Sequence, residues 1–411
     1  MRKFLQDNFL ALAILNSSNF FSYLFQLIIA RALSASDYGS FNALASLSSM
    51  ILAPLGILPM VIARFTVRVN TQQQLGQVKT LVFVILKGLF FISLLLLLVG
   101  ALSLDSLKIY LHIDSYLPVI LMLLTAAVGL FHPILVSVLQ GLQRIIAFSL
   151  CNTTTAVAKV GGVILFVVWL GGEVNGALLA GLFAILMTTS VGSLFLKDVF
   201  QQTSQPLPTG IFKDMRHYAV PVGIFALLMA VLGNVDLVLV RHYLPDDSGL
   251  YATATILGKI AFFAPSELVT VLFPEAAKNQ ETGQENTKIL WITLALVALI
   301  GGSISLVCNI FPEWVITILF GDKYIEAAPL LRVTSLAMAL FAITNILFNY
   351  NLAHFRFGFL WIMAVCTGLL YVLISFFHET PLTIAYILLS CIGLMLITSM
   401  LHYLFTSHRT A

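Results

Sequence analysis

Charge is scarce in this chain. Of its 411 residues, 9% are charged and 60% are hydrophobic, whereas an ordinary soluble domain carries roughly 25% charge. So few charges do not cover a soluble surface of this size, which argues against a soluble enzyme, a nucleic-acid binder and a disordered scaffold. Cysteine is scarcer still. Cys151, Cys308, Cys366 and Cys391 each sit in an apolar stretch, with no Cys-x-x-Cys and no Cys/His cluster. They read as small packing residues and give no evidence of disulfides or of a metal site. A Gly-x-x-x-x-Gly-Lys-Ser/Thr sequence is missing, so ATP drive is not expected. No Ser/His/Asp constellation and no phosphate-cradling glycine loop is present, so neither an enzyme nor a cofactor is expected. Ten-residue segments of alternating polarity are absent as well, which disfavours a β-barrel. The longest polar stretches, 197–216 and 275–288, are too short for a folded soluble domain.

What is abundant is apolar length. About 20 apolar residues cross the hydrocarbon core of a bilayer. Twelve such segments are predicted, at 9–30, 40–62, 80–103, 117–139, 147–170, 174–196, 217–240, 250–273, 289–311, 328–350, 357–377 and 382–405. The expected class is an all-α polytopic membrane protein. The first segment follows Arg2 and Lys3 in the manner of a signal peptide, but Ala32-Leu33-Ser34 with Arg31 before it is a poor cleavage site. It is expected to remain as a span. Orientation follows Lys and Arg in the loops. One side carries thirteen (Arg2, Lys3, Arg64, Arg68, Lys79, Arg144, Lys197, Lys213, Arg216, Lys278, Lys288, Arg356, Arg409) and the other five (Arg31, Lys108, Arg241, Lys323, Arg332). Both termini are expected in the cytoplasm.

The chain also resembles itself. Shifted by 210 residues, Arg31-Ala-Leu-Ser-Ala-Ser-Asp37-Tyr-Gly39-Ser-Phe41 lies over Arg241-His-Tyr-Leu-Pro-Asp-Asp247-Ser-Gly249-Leu-Tyr251. Pro54 answers Pro265, Asp114-Ser-Tyr116 answers Asp322-Lys-Tyr324, and Arg144 answers Arg356, at offsets of 211, 208 and 212. Four matches in one order at nearly one offset predict two six-helix halves, 1–196 and 217–411, joined by a cytoplasmic linker at 197–216. Six is even, so the halves enter the membrane in the same direction. Parallel repeats of this kind place a substrate cavity centrally, between the halves.

Three short motifs carry a resemblance: Arg31-x-Leu33 followed by Tyr38-Gly-x-Phe41, Asp236 leading to Gly249-x-Tyr251, and Leu319-Phe-Gly-Asp-Lys-Tyr324. Together they resemble the polysaccharide flippases of the multidrug/oligosaccharidyl-lipid/polysaccharide (MOP) exporter superfamily. The resemblance runs along most of the chain and implies transport of a polyprenyl-pyrophosphate sugar repeat unit for O-antigen or capsule. It further implies a bacterial inner (cytoplasmic) membrane, and membrane lipid and polysaccharide-assembly proteins as partners. Alternating access is read from the parallel repeat, and H+ or Na+ as a coupling ion from the buried carboxylate of Asp236 with Asn234 nearby.

Ionisable side chains inside a span cost about 2.5–3.5 kcal/mol or more at the bilayer centre and tend to face a cavity or a partner. Lys87, Lys159 and Lys259 are such cations, and Asp236 and Glu267 such anions. A cationic cavity would compensate a lipid pyrophosphate through charge-assisted hydrogen bonds. Its candidate residues are Lys159, Lys87, Lys259, Arg64, Arg31 and Arg241. The plainer readings are a helix-pairing or snorkelling lysine and, for Arg64 and Arg68, positive-inside anchoring. Asp236, with Asn234 nearby, is a candidate for gating or ion coupling, the alternative being structural pairing with a lysine. Glu267 is a partner for Lys259 or Arg241. Eight residues separate Lys259 from Glu267, about 12 Å along one helix, so those two do not pair directly. His132, next to Pro133, reads more simply as a satisfied interior histidine than as a proton shuttle. Pro54 and Pro265 free a backbone carbonyl in matching spans and are candidate hinges.

Two other functions compete. An ion-coupled multidrug exporter of the same superfamily would favour acidic and aromatic residues around a cationic ligand, and the basic excess within these spans argues against it. A glycan polymerase or transferase would need a sizeable external loop, and the longest here is roughly 311–327.

Overall fold

The computed structural model describes residues 17, 18, 20–69, 75–208, 210–266, 287–354 and 356–407. Among them every regular element is helical. The helices that fall at the predicted spans are α1 (Phe20–Ala32), α2 (Ala35–Val69), α3 (Leu75–Leu102), α4 (Tyr116–Gly141), α5 (Ile145–Trp169), α6 (Glu173–Phe195), α7 (Ala219–Tyr243), α8 (from Ser248–Gly258), α9 (Leu290–Ile310), α10 (Ala328–Ala353), α11 (Phe359–Phe376) and α12 (Pro381–Leu404). Ten of these, with α10 taken together with the short helix that precedes it, are long and apolar enough to cross a bilayer. Each coincides with a predicted span. The remaining two predicted spans are α1 and α8, whose residues 9–16 and 267–273 lie outside the described residues.

Local sequence sets the helix ends. Ser34 caps α2 by accepting from Asp37 N at 3.1 Å, and Ser115 caps α4 by accepting from Leu117 N at 3.3 Å. Several helices are broken, two of them beside a proline. Pro54 sits in a short 3-10 turn, Ala53–Leu55, that divides α2. Pro133 follows the division of α4 between Gly129 and His132. α7 breaks at Gly233-Asn234, and α8 breaks at Lys259. Pro265 lies six residues beyond that break, within a helical stretch that continues through 266. It has no N–H for the Ala261 carbonyl, and Gly301 of α9 comes so close that a Cβ there would lie 2.9 Å from Ala261 O.

The chain forms two compact units, residues 1–230 and 231–411. In the first, α4 packs on α2, α3 and α6, and α6 packs on α5. In the second, α10 packs on α8, α9 and α12, and α12 packs on α11. The two units thus use one helix-pairing scheme, displaced by six helices. The first unit centres on Val61, Ile62, Leu81, Val138, Leu139 and Cys151, and the second has a cluster of Leu290, Leu294, Ile346, Leu347, Tyr350 and Tyr403. All four cysteines are free and buried. Large apolar side chains on the outer face of α3, including Phe83, Phe90, Phe91 and Leu95, are exposed. In water such a surface would aggregate, whereas in a bilayer it faces solvent of its own kind.

The predicted linker is helical at both ends, since its residues from Ile211 onward belong to helix Ile211–Leu232. Helix Lys197–Gln201 is followed by an extended strap at 202–208. The strap lies on the start of α3, where Lys79 Nζ donates to Gln202 O at 2.7 Å and Thr80 Oγ1 to Gln205 O at 2.8 Å. Gly76 permits the approach, because a Cβ there would lie 2.4 Å from Thr203 O. Arg144, between α4 and α5, donates to Phe195 O at 2.7 Å and forms a two-pronged ion pair with Asp198.

That pair supplies a pH prediction. The hydrogen bond from Arg144 holds the Asp198 carboxyl below the usual carboxylate range. Its stabilisation is complete above the unfolded pKa of about 4 and is lost as pH falls through the lower folded value. Both side chains are partly exposed, so solvent screening limits the contribution to about 1 kcal/mol. Thermal unfolding of Asp198→Asn against the parent should show a small deficit at neutral pH that closes in acid.

Candidate functional site

The second unit carries a polar cluster where two broken helices meet. After the break at Gly233-Asn234, helix Val235–Tyr243 begins with Asp236 in its first turn. The break of α8 places Lys259 at the C-terminal end of Ser248–Gly258, with Lys259 N bonded to Thr255 O at 2.9 Å. A helix N-terminus favours an anion and a C-terminus a cation. Each break therefore puts a charge at the helix end that stabilises it.

The contacts are specific. Tyr251 Oη donates to Asp236 Oδ2 at 3.0 Å. Lys259 Nζ donates to Asn234 Oδ1 at 3.2 Å. Asp236 is 1% exposed, and Lys259 is near enough for their charges to attract. The second carboxylate oxygen, Oδ1, is buried without a hydrogen-bond partner among the described residues. Sequence reasoning singled out Asp236, Asn234 and Lys259 separately, and the fold brings them together. It did not assign Tyr251 a role beyond the motif, although the Gly249-x-Tyr251 spacing was the available signal.

Arg241, one further turn along α7, is 5% exposed and turned toward its own loop. It donates to Pro245 O at 3.0 Å and Ser248 Oγ at 3.1 Å, and so pins the α7–α8 connection. Its counterpart Arg31 is exposed. Glu267 lies outside the described residues.

The first unit holds a second cluster, drawn from α1, α4, α5 and α6. Lys159 Nζ stands 5.7 Å from the centroid of the Phe25 ring, which packs edge-on against Phe41. A cation over an aromatic face is attracted by the ring quadrupole. One turn before Lys159, Thr155 Oγ1 is 3.3 Å from His132 Nε2 and 2.9 Å from Thr188 Oγ1. His132 thus has a hydroxyl partner, in keeping with the simpler reading of it. Phe25, Thr155 and Thr188 were not legible as site residues, since apolar and hydroxyl residues are common in every span.

The other predicted cations go elsewhere. Lys87 is exposed on α3, among the outward Phe83, Phe90 and Phe91. Arg64 and Arg68 share the exposed face of Leu58–Val69, with Arg68 also 5.8 Å from the Phe65 ring. Pro54 is exposed at the break of α2.

A family model described as "Polysaccharide biosynthesis protein" matches residues 28–329. No curated protein matches the chain. Among solved structures, an inward-facing multidrug resistance MATE family transporter of the MOP superfamily aligns with a TM-score of 0.78 at 13% identity, over 95% of this chain and 94% of that one. The lipid II flippase MurJ in an inward closed conformation aligns with a TM-score of 0.71 at 12% identity, over 95% and 87%. A mutant of the Vibrio cholerae MATE transporter VcmN aligns with a TM-score of 0.66 at 15% identity, over 99% and 97%. At such identities the likeness establishes the fold.

Proposed function

The chain belongs to the polysaccharide biosynthesis protein family, and from that premise we propose that it flips a lipid-linked oligosaccharide across a bacterial cytoplasmic membrane. The match over 28–329 carries the reading. The substrate would be a sugar repeat unit on polyprenyl pyrophosphate. Support for an anionic head group comes from the intramembrane basic excess, three lysines against Asp236 and Glu267.

In this reading the halves 1–196 and 217–411 alternate access around a central cavity, with both termini in the cytoplasm. The division of the loop cations, thirteen to five, supports that orientation. Lys159, held over Phe25 in a low-dielectric setting, is the residue best placed to meet a phosphate. Lys87, Arg64 and Arg31 would act from exposed positions during entry or release, and Arg241 by holding the α7–α8 turn. Asp236 and Asn234 would gate the change of access, with α2 bending at Pro54 and α8 near Pro265. Polysaccharide-assembly proteins would receive the product.

The experiment is a flipping assay on the purified protein in vesicles, with a fluorescent polyprenyl-pyrophosphate oligosaccharide and, separately, a cationic dye. Transport of the glycan lipid alone is expected. Transport of the dye alone would instead favour the multidrug exporter whose fold the chain shares. Complementation of a strain lacking its own repeat-unit flippase should give the same answer in cells.

A further inference from the structure

Carboxylate, amide carbonyl and phenol oxygens converge at the breaks of α7 and α8, and such oxygens are the usual ligands of hard metal cations. Asp236 contributes two carboxylate oxygens, Asn234 an amide oxygen and Tyr251 its hydroxyl. In this protein the cation is already present. Lys259 Nζ donates to the Asn234 oxygen, and its charge attracts the buried Asp236. A second cation there would meet like-charge repulsion at low dielectric, where such repulsion is strongest.

We propose that Lys259 is a tethered cation that takes the place of a sodium ion, so that the Asp236 cluster works without binding Na+. The first unit supports the specificity of the arrangement. By the 210-residue register, Asp236 falls on Gln26 and Lys259 on Ser49. Neither charge has a counterpart, so acid and base occur together in one unit and are absent together from the other. The unpartnered Asp236 Oδ1 explains what happens if the ammonium is removed. Two carboxylate oxygens, Asn234 Oδ1 and the Tyr251 oxygen then surround an uncompensated charge, which a small cation would neutralise.

The inference rests on the gating role given to Asp236, yet its test needs no glycan substrate and stands apart from the flipping assay. Thermal unfolding of the full-length protein in detergent would be followed in sodium, potassium or choline chloride at one ionic strength. The parent midpoint should be the same in all three salts. Lys259→Ala should unfold several degrees lower in choline and recover about 2–4 °C in sodium, because a ligand that binds only the folded state stabilises it. Lys259→Ala combined with Asp236→Asn should lose that sodium response. If Lys259→Ala does not fold, Lys259→Met, which keeps the aliphatic stem, is measured instead. A saturable rise of the parent midpoint in sodium alone would overturn the proposal. So would Lys259→Ala and Lys259→Met variants that fold but respond equally to all three salts.

Discussion

Lys159→Ala should lower flipping of the lipid-linked oligosaccharide by about 30-fold, equivalent to about 2 kcal/mol, the lower end of what truncating one member of a buried charged contact costs. The reason is its setting. The ammonium lies over Phe25 and beside the His132–Thr155–Thr188 chain, and the described residues show no ion pair to it. A positive charge kept in a span without a carboxylate at contact distance is costly, and an anionic head group would repay that cost. Lys159→Arg should retain most of the rate, since guanidinium keeps the charge and stacks on an aromatic face. Lys159→Met keeps the stem and should behave like alanine. Unfolding midpoints should change little across the three, which separates a transport defect from a folding defect. Wild-type flipping by Lys159→Ala would remove this residue from the substrate path.

The second large effect concerns stability. Asp236→Ala should destabilise the protein by about 3–5 kcal/mol, the usual cost of removing one member of a buried charge pair. It strands the Lys259 ammonium in a low-dielectric site and leaves the Tyr251 hydroxyl without its acceptor. Asp236→Asn should cost less, because the amide oxygen still accepts from Tyr251. Replacing both charges, as Asp236→Leu with Lys259→Met, should recover much of the loss, since apolar groups of similar volume often replace a buried pair without penalty. That double variant should fold and yet fail to flip. Chemical unfolding in detergent together with the flipping assay distinguishes these outcomes. Parent-like stability in Asp236→Ala would mean that the carboxylate is not holding α7 and α8 together.

The two clusters differ in how far they were readable. Asp236, Lys259 and Lys159 announced themselves because a charge inside an apolar run is improbable unless something holds it. Tyr251, Phe25, Thr155 and Thr188 did not, because their residue types occur throughout the spans and their importance lies in what they touch. Lys87 and Lys159 looked equivalent in one dimension. They separated only when α3 turned Lys87 outward among exposed phenylalanines while α5 turned Lys159 toward α1 and α4. Arg31 and Arg241 occupy matching places in the repeat, yet one is exposed and the other spends its donors on Pro245 and Ser248.

The sequence by itself determined the membrane class and the places of ten apolar helices long enough to span, because hydrophobic length is a property of the chain taken in order. Even the break near Pro54 was legible, since a missing N–H is a local fact. The breaks at Gly233-Asn234 and Lys259 were decided by tertiary structure. So was the meeting of Asp236, Asn234, Tyr251 and Lys259 across them, because which side of a helix a charge faces depends on what packs against it. Depth in the membrane can be counted along a chain, but partnership cannot.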